Sequence, residues 1–354
     1  MATILVMKSL NPIPIVGNPA SPYTRKMLAL MRYRRIPYAV DWGDPRTLIK
    51  KMGLEEPKPM LLPVLVFNID GKNKAITDST PIIRHLENEF SLRRVVPSDP
   101  KLNFLNYVLE DFGDEWVTKY MFHYRWHFED DIEKAGTVLP LMHDVSLENK
   151  SHLEFKKYFS ELQTSRLWVV GSNNKTAPII EESYKRFLNQ LETCLSTNPF
   201  LFGKRPSSSD YAIYGQLTQL IGFDPTSSAI AHNISPRAIS WIDQMEDLSG
   251  LNVHEEDWIT FEQAERNLSN IFEEIGKVYM PALLANSNAI NQNEKTWTAK
   301  IDGAEWNQKS FPYQAKCLQW INNEFEVLGN DDQEDILNFL RNAGCSDLIL
   351  GRKK

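Results

Sequence analysis

The chain has 354 residues, 42% of them hydrophobic and 24% charged, and its 46 acidic against 39 basic side chains leave a formal net charge of −7. That length and apolar content suffice for large buried cores and for two or more domains. The acidic balance, with no long Lys/Arg cluster to offset it, argues against a nucleic-acid-binding surface, and no nucleic-acid partner is expected. Arg32, Arg34 and Arg35 make only a short basic knot of the kind that suits a helix end. No apolar run approaches the ~18 residues of a membrane span, and residues 1–8 lack the charged leader, apolar stretch and cleavage site of an export signal. Cys194, Cys317 and Cys345 stand far apart and outside any paired motif, which suits a reducing compartment. A cytoplasmic protein with no membrane association is the expectation.

In chain order, Pro12 and Pro14 are awkward for a central strand, because proline removes a ladder donor. The first strand is therefore expected to be only Ile15-Val16-Gly17, or the leading residues 3–10 to add an edge element. Next, Ser21-Pro22-Tyr23 puts serine at an N-cap and proline at the first helical position, ahead of the apolar body Met27-Leu28-Ala29-Leu30-Met31. Unpaired amides and the positive helix end make that spot hospitable to an anion, a thiolate included. Simple capping by Ser21 is the alternative, and both stay open. Residues 36–41 and 61–67 read as strands, and Asp70-Gly71 is a hairpin signal into a strand around 74–77. Asp78-Ser79-Thr80-Pro81 then opens a helix carrying Ile82, Ile83 and Leu86.

Residues 91–100 have linker composition, and a long helix is expected over about 102–134. Helical spacing puts Asp111, Asp114 and Glu115 near one face, as possible anchors for Lys119 or Arg125. His123 and His127 have the i, i+4 spacing of a chelating pair, but the Glu of a zincin signature is missing and no metal is expected. Residues 136–176 carry one amphipathic helix near 147–167 and a polar loop, and another helix follows over about 178–195. Ser207 and Asp210 have capping-box spacing, with Asp in place of the usual Glu or Gln, and this is a structural role. Beyond about residue 250 come a helix near 261–284, a polar loop over 286–293, a hairpin about Asp302-Gly303, and helices near 313–328 and 333–343 stopped by Gly344.

The order strand-helix-strand-strand-strand-helix, with Ser21-Pro22-Tyr23, Leu62-Pro63-Val64 and Asp78-Ser79, resembles the thioredoxin-like half of cytosolic glutathione transferases. The block from Phe200 to Ala212 and the Trp241-bearing segment after Ser235-Pro236 resemble that family's all-helical half. The resemblance implies a thioredoxin-like α/β domain over 1–90, a linker over 91–100 and a helical domain over 101–250. Residues 251–354 form an extension with helices and a short hairpin near 297–308.

It further implies glutathione as co-substrate, a cis bond at Pro63, and pairing of the Leu62 backbone with the cysteinyl part of glutathione. Asp78 and Ser79 fall where the family holds the γ-glutamyl end, although Asp is one methylene shorter than the commoner Glu or Gln. Arg25 and Lys58 are weaker candidates for the glycine carboxylate. Ser21 would stabilise the glutathione thiolate for attack on an apolar electrophile, and Trp116, Tyr120 and Tyr124 are expected to line the electrophile pocket. A charge-assisted hydrogen bond of about 1.5–3 kcal/mol that acts only on the anion lowers a thiol pKa by roughly one to two units. The family also implies a homodimer. A thiol-disulfide variant is disfavoured because a hydroxyl cannot form a mixed disulfide. The alternative is a non-catalytic binding or interaction protein on the same fold.

Overall fold

The computed structural model describes residues 7–349. The first part builds one mixed sheet with its helices: β1 (Met7–Ser9), β2 (Ile13–Gly17), α1 (Pro22–Arg34), β3 (Tyr38–Trp42), α2 (Pro45–Lys51), β4 (Val64–Ile69), β5 (Lys72–Ile76) and α3 (Ser79–Glu89). Strand β2 runs parallel to β3 and antiparallel to β4, and β5 returns along β4 through the Asp70-Gly71 turn. Both turn residues have positive φ, 51° and 80°, as a two-residue hairpin requires. Because β5 occupies one edge of β4, β1 and β2 share the other, with Met7 opposite Ile69 and Ile15 opposite Leu65. This is a thioredoxin-like unit with β1 and α2 added.

Two expectations change here. Strand β2 starts at Ile13 and contains Pro14. The Ile13 N–H donates to the Pro37 carbonyl on the β3 side, so by alternation the donor that Pro14 lacks would face β4, whose pairing with β2 begins only at Ile15. Of the leading segment, residues 7–9 form β1 and residues 3–6 lie outside the described residues. Helix α2 went unread in the sequence, although Asp44 caps it by accepting from the Thr47 N–H at 2.8 Å and Pro45 opens it.

The rest of the described chain is mainly helical: α4 (Pro100–Phe112), α5 (Thr118–His127), α6 (Glu129–His143), α7 (Asn149–Thr164), α8 (Ala177–Thr197), α9 (Ser208–Leu220), α10 (Pro225–Ile234), α11 (Pro236–Met245), α12 (Phe261–Glu274) and α13 (Met280–Asn291). The hairpin β6 (Thr296–Ile301) and β7 (Ala304–Lys309) follows, then α14 (Pro312–Glu326) and α15 (Asn330–Asn342). The long helix expected over 102–134 is broken once: α4 and α5 run on as one continuous helical stretch through a π-helical turn, Gly113–Val117, and Phe128 in extended conformation separates α5 from α6.

The polar loop expected over 286–293 is also largely helix. Buried Asn286 donates to the Phe311 carbonyl at 2.8 Å and accepts from the Phe311 N–H at 2.7 Å, so its amide substitutes for a strand partner from within α13.

Two features place the start of α1. Helix α9 crosses it so closely that a Cβ at Gly215 would fall 2.4 Å from the Pro22 carbonyl oxygen. Helix α9 is itself anchored by Ser207 and Asp210: the Ser207 N–H donates to Asp210 Oδ2 at 2.8 Å, and the Leu201 N–H to Oδ1 at 2.9 Å. The tail packs on the same body, where Trp306 of β7 lies 5.5 Å from Trp116, ring to ring, and both are fully buried.

Candidate functional site

Ser21 is the N-cap of α1, in extended backbone with φ −86° and ψ 118°, and its Oγ accepts from the Thr24 N–H at 3.2 Å. Capping uses a lone pair, so the hydroxyl proton remains available to donate. The unpaired first-turn amides add positive potential at the same place. Half-buried Ser21 lines a cleft of about 230 Å³ together with Asn18, Ala20 and Leu62, and the Leu62–Pro63 peptide bond is cis. The far wall comes from Phe122, Arg125 and Trp126 of α5, Leu139 and His143 of α6, and Phe155 and Phe159 of α7. A hydroxyl donor at a helix mouth thus faces a mostly apolar, aromatic cleft.

Asp78 precedes α3 with φ 81°, a left-handed value that costs a non-glycine residue about 1–3 kcal/mol and persists only where the surroundings impose it. Its Oδ2 accepts from Tyr313 of α14 at 2.8 Å, and burial raises its pKa against that bond. Ser79 Oγ accepts from Lys26 Nζ at 3.1 Å. Lys26, on the buried face of α1, also reaches Glu110 at 3.0 Å and Asp114 at 2.7 Å. Burial opposes the Lys26 charge, but the two carboxylates outweigh it and raise the ammonium pKa. Glu110 is further held by Arg84 at 2.9 Å and Ser208 at 2.7 Å, and the Lys26 and Arg84 cations, with the Ser208 hydroxyl, keep it ionised against burial. Sequence reasoning missed Lys26; a lone Lys among Tyr23-Thr24-Arg25 carries no burial signal without the α4 acids facing it.

The remaining acids of that ridge are partnered by the tail. Asp111 accepts from Tyr279 at 2.5 Å, and Glu115 from Gln314 at 3.2 Å. Arg125 does not join them: it pairs with Asp224 at 2.9 Å. Burial, reinforced by neighbouring Asp111 and Asp114, pushes Glu115 up to about 8, and burial pushes Asp111 up to about 7.

A carboxyl raised in the folded state binds a proton that the unfolded chain has already released. Its stabilising share is therefore complete below the ordinary value near 4.5 and is lost as pH rises to about 8. Each such group steepens the profile by up to about 1.4 kcal/mol per pH unit. Glu115→Gln is accordingly expected to flatten the decline in unfolding free energy between pH 5 and 8, measured by urea titration at each pH. Parallel profiles for the two proteins would contradict the assignment.

Several expected site residues lie elsewhere. Trp116, Tyr120 and Tyr124 do not line the cleft; all three are fully buried in the core. Tyr120 pairs with Ser183 of α8 at 2.6 Å, Tyr124 packs on Tyr184, and Trp116 is covered by Tyr279 and Trp306 of the extension. Periodicity identified the stripe but not its direction: α8 buries Tyr120 and Tyr124, and the extension buries Trp116. The cleft takes the neighbouring face of α5 instead, and Phe155 and Phe159, at i and i+4 on amphipathic α7, were the readable signal for its far wall. Arg25 is committed to Glu246 at 2.5 Å, beside Arg32 at 2.8 Å, and Lys58 is exposed.

Residues 16–94 match the family model of the glutathione S-transferase N-terminal domain, and residues 166–256 that of the C-terminal domain. The two models, in this order, support placement in the glutathione S-transferase superfamily. No curated protein matches the chain. Among solved structures, the chain is similar to a GST-like protein from Pseudomonas syringae, at 15% identity over 67% of each chain with TM-score 0.43. It is also similar to a Tau class glutathione S-transferase from mango, Mangifera indica, at 14% identity over 72% of this chain and 95% of the other with TM-score 0.41. A third is a glutathione transferase family member from Pseudomonas fluorescens pf-5 with two glutathione bound, at 13% identity over 66% of this chain and 88% of the other with TM-score 0.38.

Proposed function

We propose that the chain is a glutathione-dependent transferase in which Ser21 holds the glutathione sulfur as a thiolate for attack on an apolar electrophile. The observation that carries this reading is the Ser21 hydroxyl at the capped mouth of α1, opening into an aromatic cleft beside Leu62 and the cis bond to Pro63. A donor that prefers the anion to the thiol raises the nucleophile's population at neutral pH, and a water-poor wall strengthens that preference. Asp78, whose Oδ2 accepts from Tyr313, supplies a carboxylate for the glutathione α-ammonium. Ser79, accepting from Lys26, has its own proton to donate to the α-carboxylate. The electrophile lies against Phe122, Trp126, Phe155 and Phe159, and the new sulfur–carbon bond forms as the leaving group departs with its bonding pair or, in an addition, as the π pair shifts onto the electrophile, which then takes a proton from water.

The same proposal divides the chain into a glutathione-binding part through about residue 90, a linker over 91–100, a helical part over 101–250 and an extension from 251. It includes a homodimer and a cytoplasmic location. Calorimetry with glutathione at millimolar concentration, followed by conjugation assays with an aryl halide, is expected to give saturable binding and turnover. Absence of binding overturns the proposal, and binding without turnover over a broad electrophile panel returns the chain to a ligand-binding role.

A further inference from the structure

On the face of α5 turned away from the cleft, His123 and His127 stand one turn apart with rings stacked at 4.6 Å between centroids. Helix α8 brings Glu181 to them, and one ligand atom from each of the three lies within 4.8 Å of the others. His123 is fully buried. Its Nδ1 is 2.8 Å from Ser172 Oγ, but its Nε2, also buried, makes no hydrogen bond, although Glu181 Oε1 is 3.5 Å away. An unsatisfied buried nitrogen costs about 1–3 kcal/mol, and among the described residues no group hydrogen-bonds to His123 Nε2 to offset it. Glu181 is not drawn off by its neighbour Lys185, which pairs with Glu182 at 2.7 Å.

We propose that His123 Nε2, His127 and Glu181 bind a divalent transition-metal ion of the zinc type. The Ser172 contact supplies the outer partner that such a ligand needs: Nδ1–H donating to the hydroxyl fixes the tautomer that leaves the Nε2 lone pair facing Glu181. Two imidazoles and one carboxylate suit Zn²⁺, Co²⁺ or Ni²⁺ and are a poor set for Mg²⁺ or Ca²⁺. Bonds of about 2.0–2.1 Å in tetrahedral geometry bring ligand atoms to ~3.3 Å of one another. His127 and Glu181, both half-buried, close that distance by side-chain rotation while His123 stays in place. A fourth position is left for water, and the ion clamps the end of α5 to the start of α8. Sequence spacing alone exposed the histidine pair; the third ligand comes from a different helix and left no motif.

The test uses the full chain without an affinity tag, stripped with chelator and titrated with Co²⁺. One equivalent is expected to bind with the intense visible absorption of four-coordinate Co²⁺ and to be displaced by Zn²⁺. His127→Ala and Glu181→Gln, at half-buried positions, are expected to keep the wild-type circular dichroism and to lose that absorption. Ser172→Ala is expected to weaken Co²⁺ by about tenfold. No stoichiometric uptake of Co²⁺ by the wild-type chain, or uptake unchanged in His127→Ala and Glu181→Gln, overturns the proposal.

Discussion

Ser21→Ala is expected to slow glutathione conjugation by about 10–150-fold, the equivalent of losing one hydrogen bond of about 1.5–3 kcal/mol to an anion. The deletion removes the donor that distinguishes thiolate from thiol, so the loss belongs to the activated nucleophile. The apparent pKa of bound glutathione, followed by thiolate absorbance, should rise by roughly one to two units. Glutathione affinity measured at a pH where the thiol is protonated in both proteins should change little. The Thr24 N–H also loses its cap, at about 1 kcal/mol, which leaves the fold intact. Ser21→Thr keeps a hydroxyl at the cap and should retain most of the rate. A Ser21→Ala protein with unchanged conjugation and unchanged bound-thiol pKa would show that Ser21 is only a helix cap.

That experiment separates two readings which the sequence left open side by side, and the structure explains why. Serine before proline at a helix start is a local signal, and the helix formed where local signals put it. The Asp70-Gly71 and Asp302-Gly303 hairpins are local in the same sense, since each needs only two residues of positive φ. Direction was not local. Trp116, Tyr120 and Tyr124 form a regular stripe whether they face a cleft or a core, and the choice was made by distant partners: Ser183 and Tyr184 of α8 for the two tyrosines, and Tyr279 and Trp306, more than 150 residues on, for Trp116. Asn286 shows the converse: polar composition suggested a loop, whereas a backbone partner at Phe311 lets the amide sit buried inside a helix. Lys26 was illegible for the same reason as Glu181, the carboxylate of the proposed metal site, because its meaning lies in residues of another helix.

Lys26 carries the largest stability effect expected. Lys26→Met should lower the unfolding free energy at pH 7 by about 3–5 kcal/mol, the usual cost of removing one partner from a buried ion pair. The loss falls unevenly on the two acids. Glu110 retains Arg84 and Ser208, whereas among the described residues the Asp114 carboxylate loses its one paired cation and keeps the 3.5 Å contact from Thr80. Burial already raises the Asp114 pKa with Lys26 present. Without the ammonium its folded pKa rises further, so the folded variant takes up a proton that the unfolded chain has released. Stability carried by that proton is complete at low pH and is lost as pH rises, which makes the deficit smaller at pH 5 than at pH 7. Lys26→Met combined with Asp114→Asn removes the unpaired charge and should recover most of the loss at pH 7, in line with apolar or neutral replacement of a whole buried pair. Urea unfolding of the three proteins at both pH values decides it: a deficit of equal size at pH 5 and pH 7, with no recovery in the double variant, would mean that Lys26 acts by packing its methylenes and not by holding Asp114.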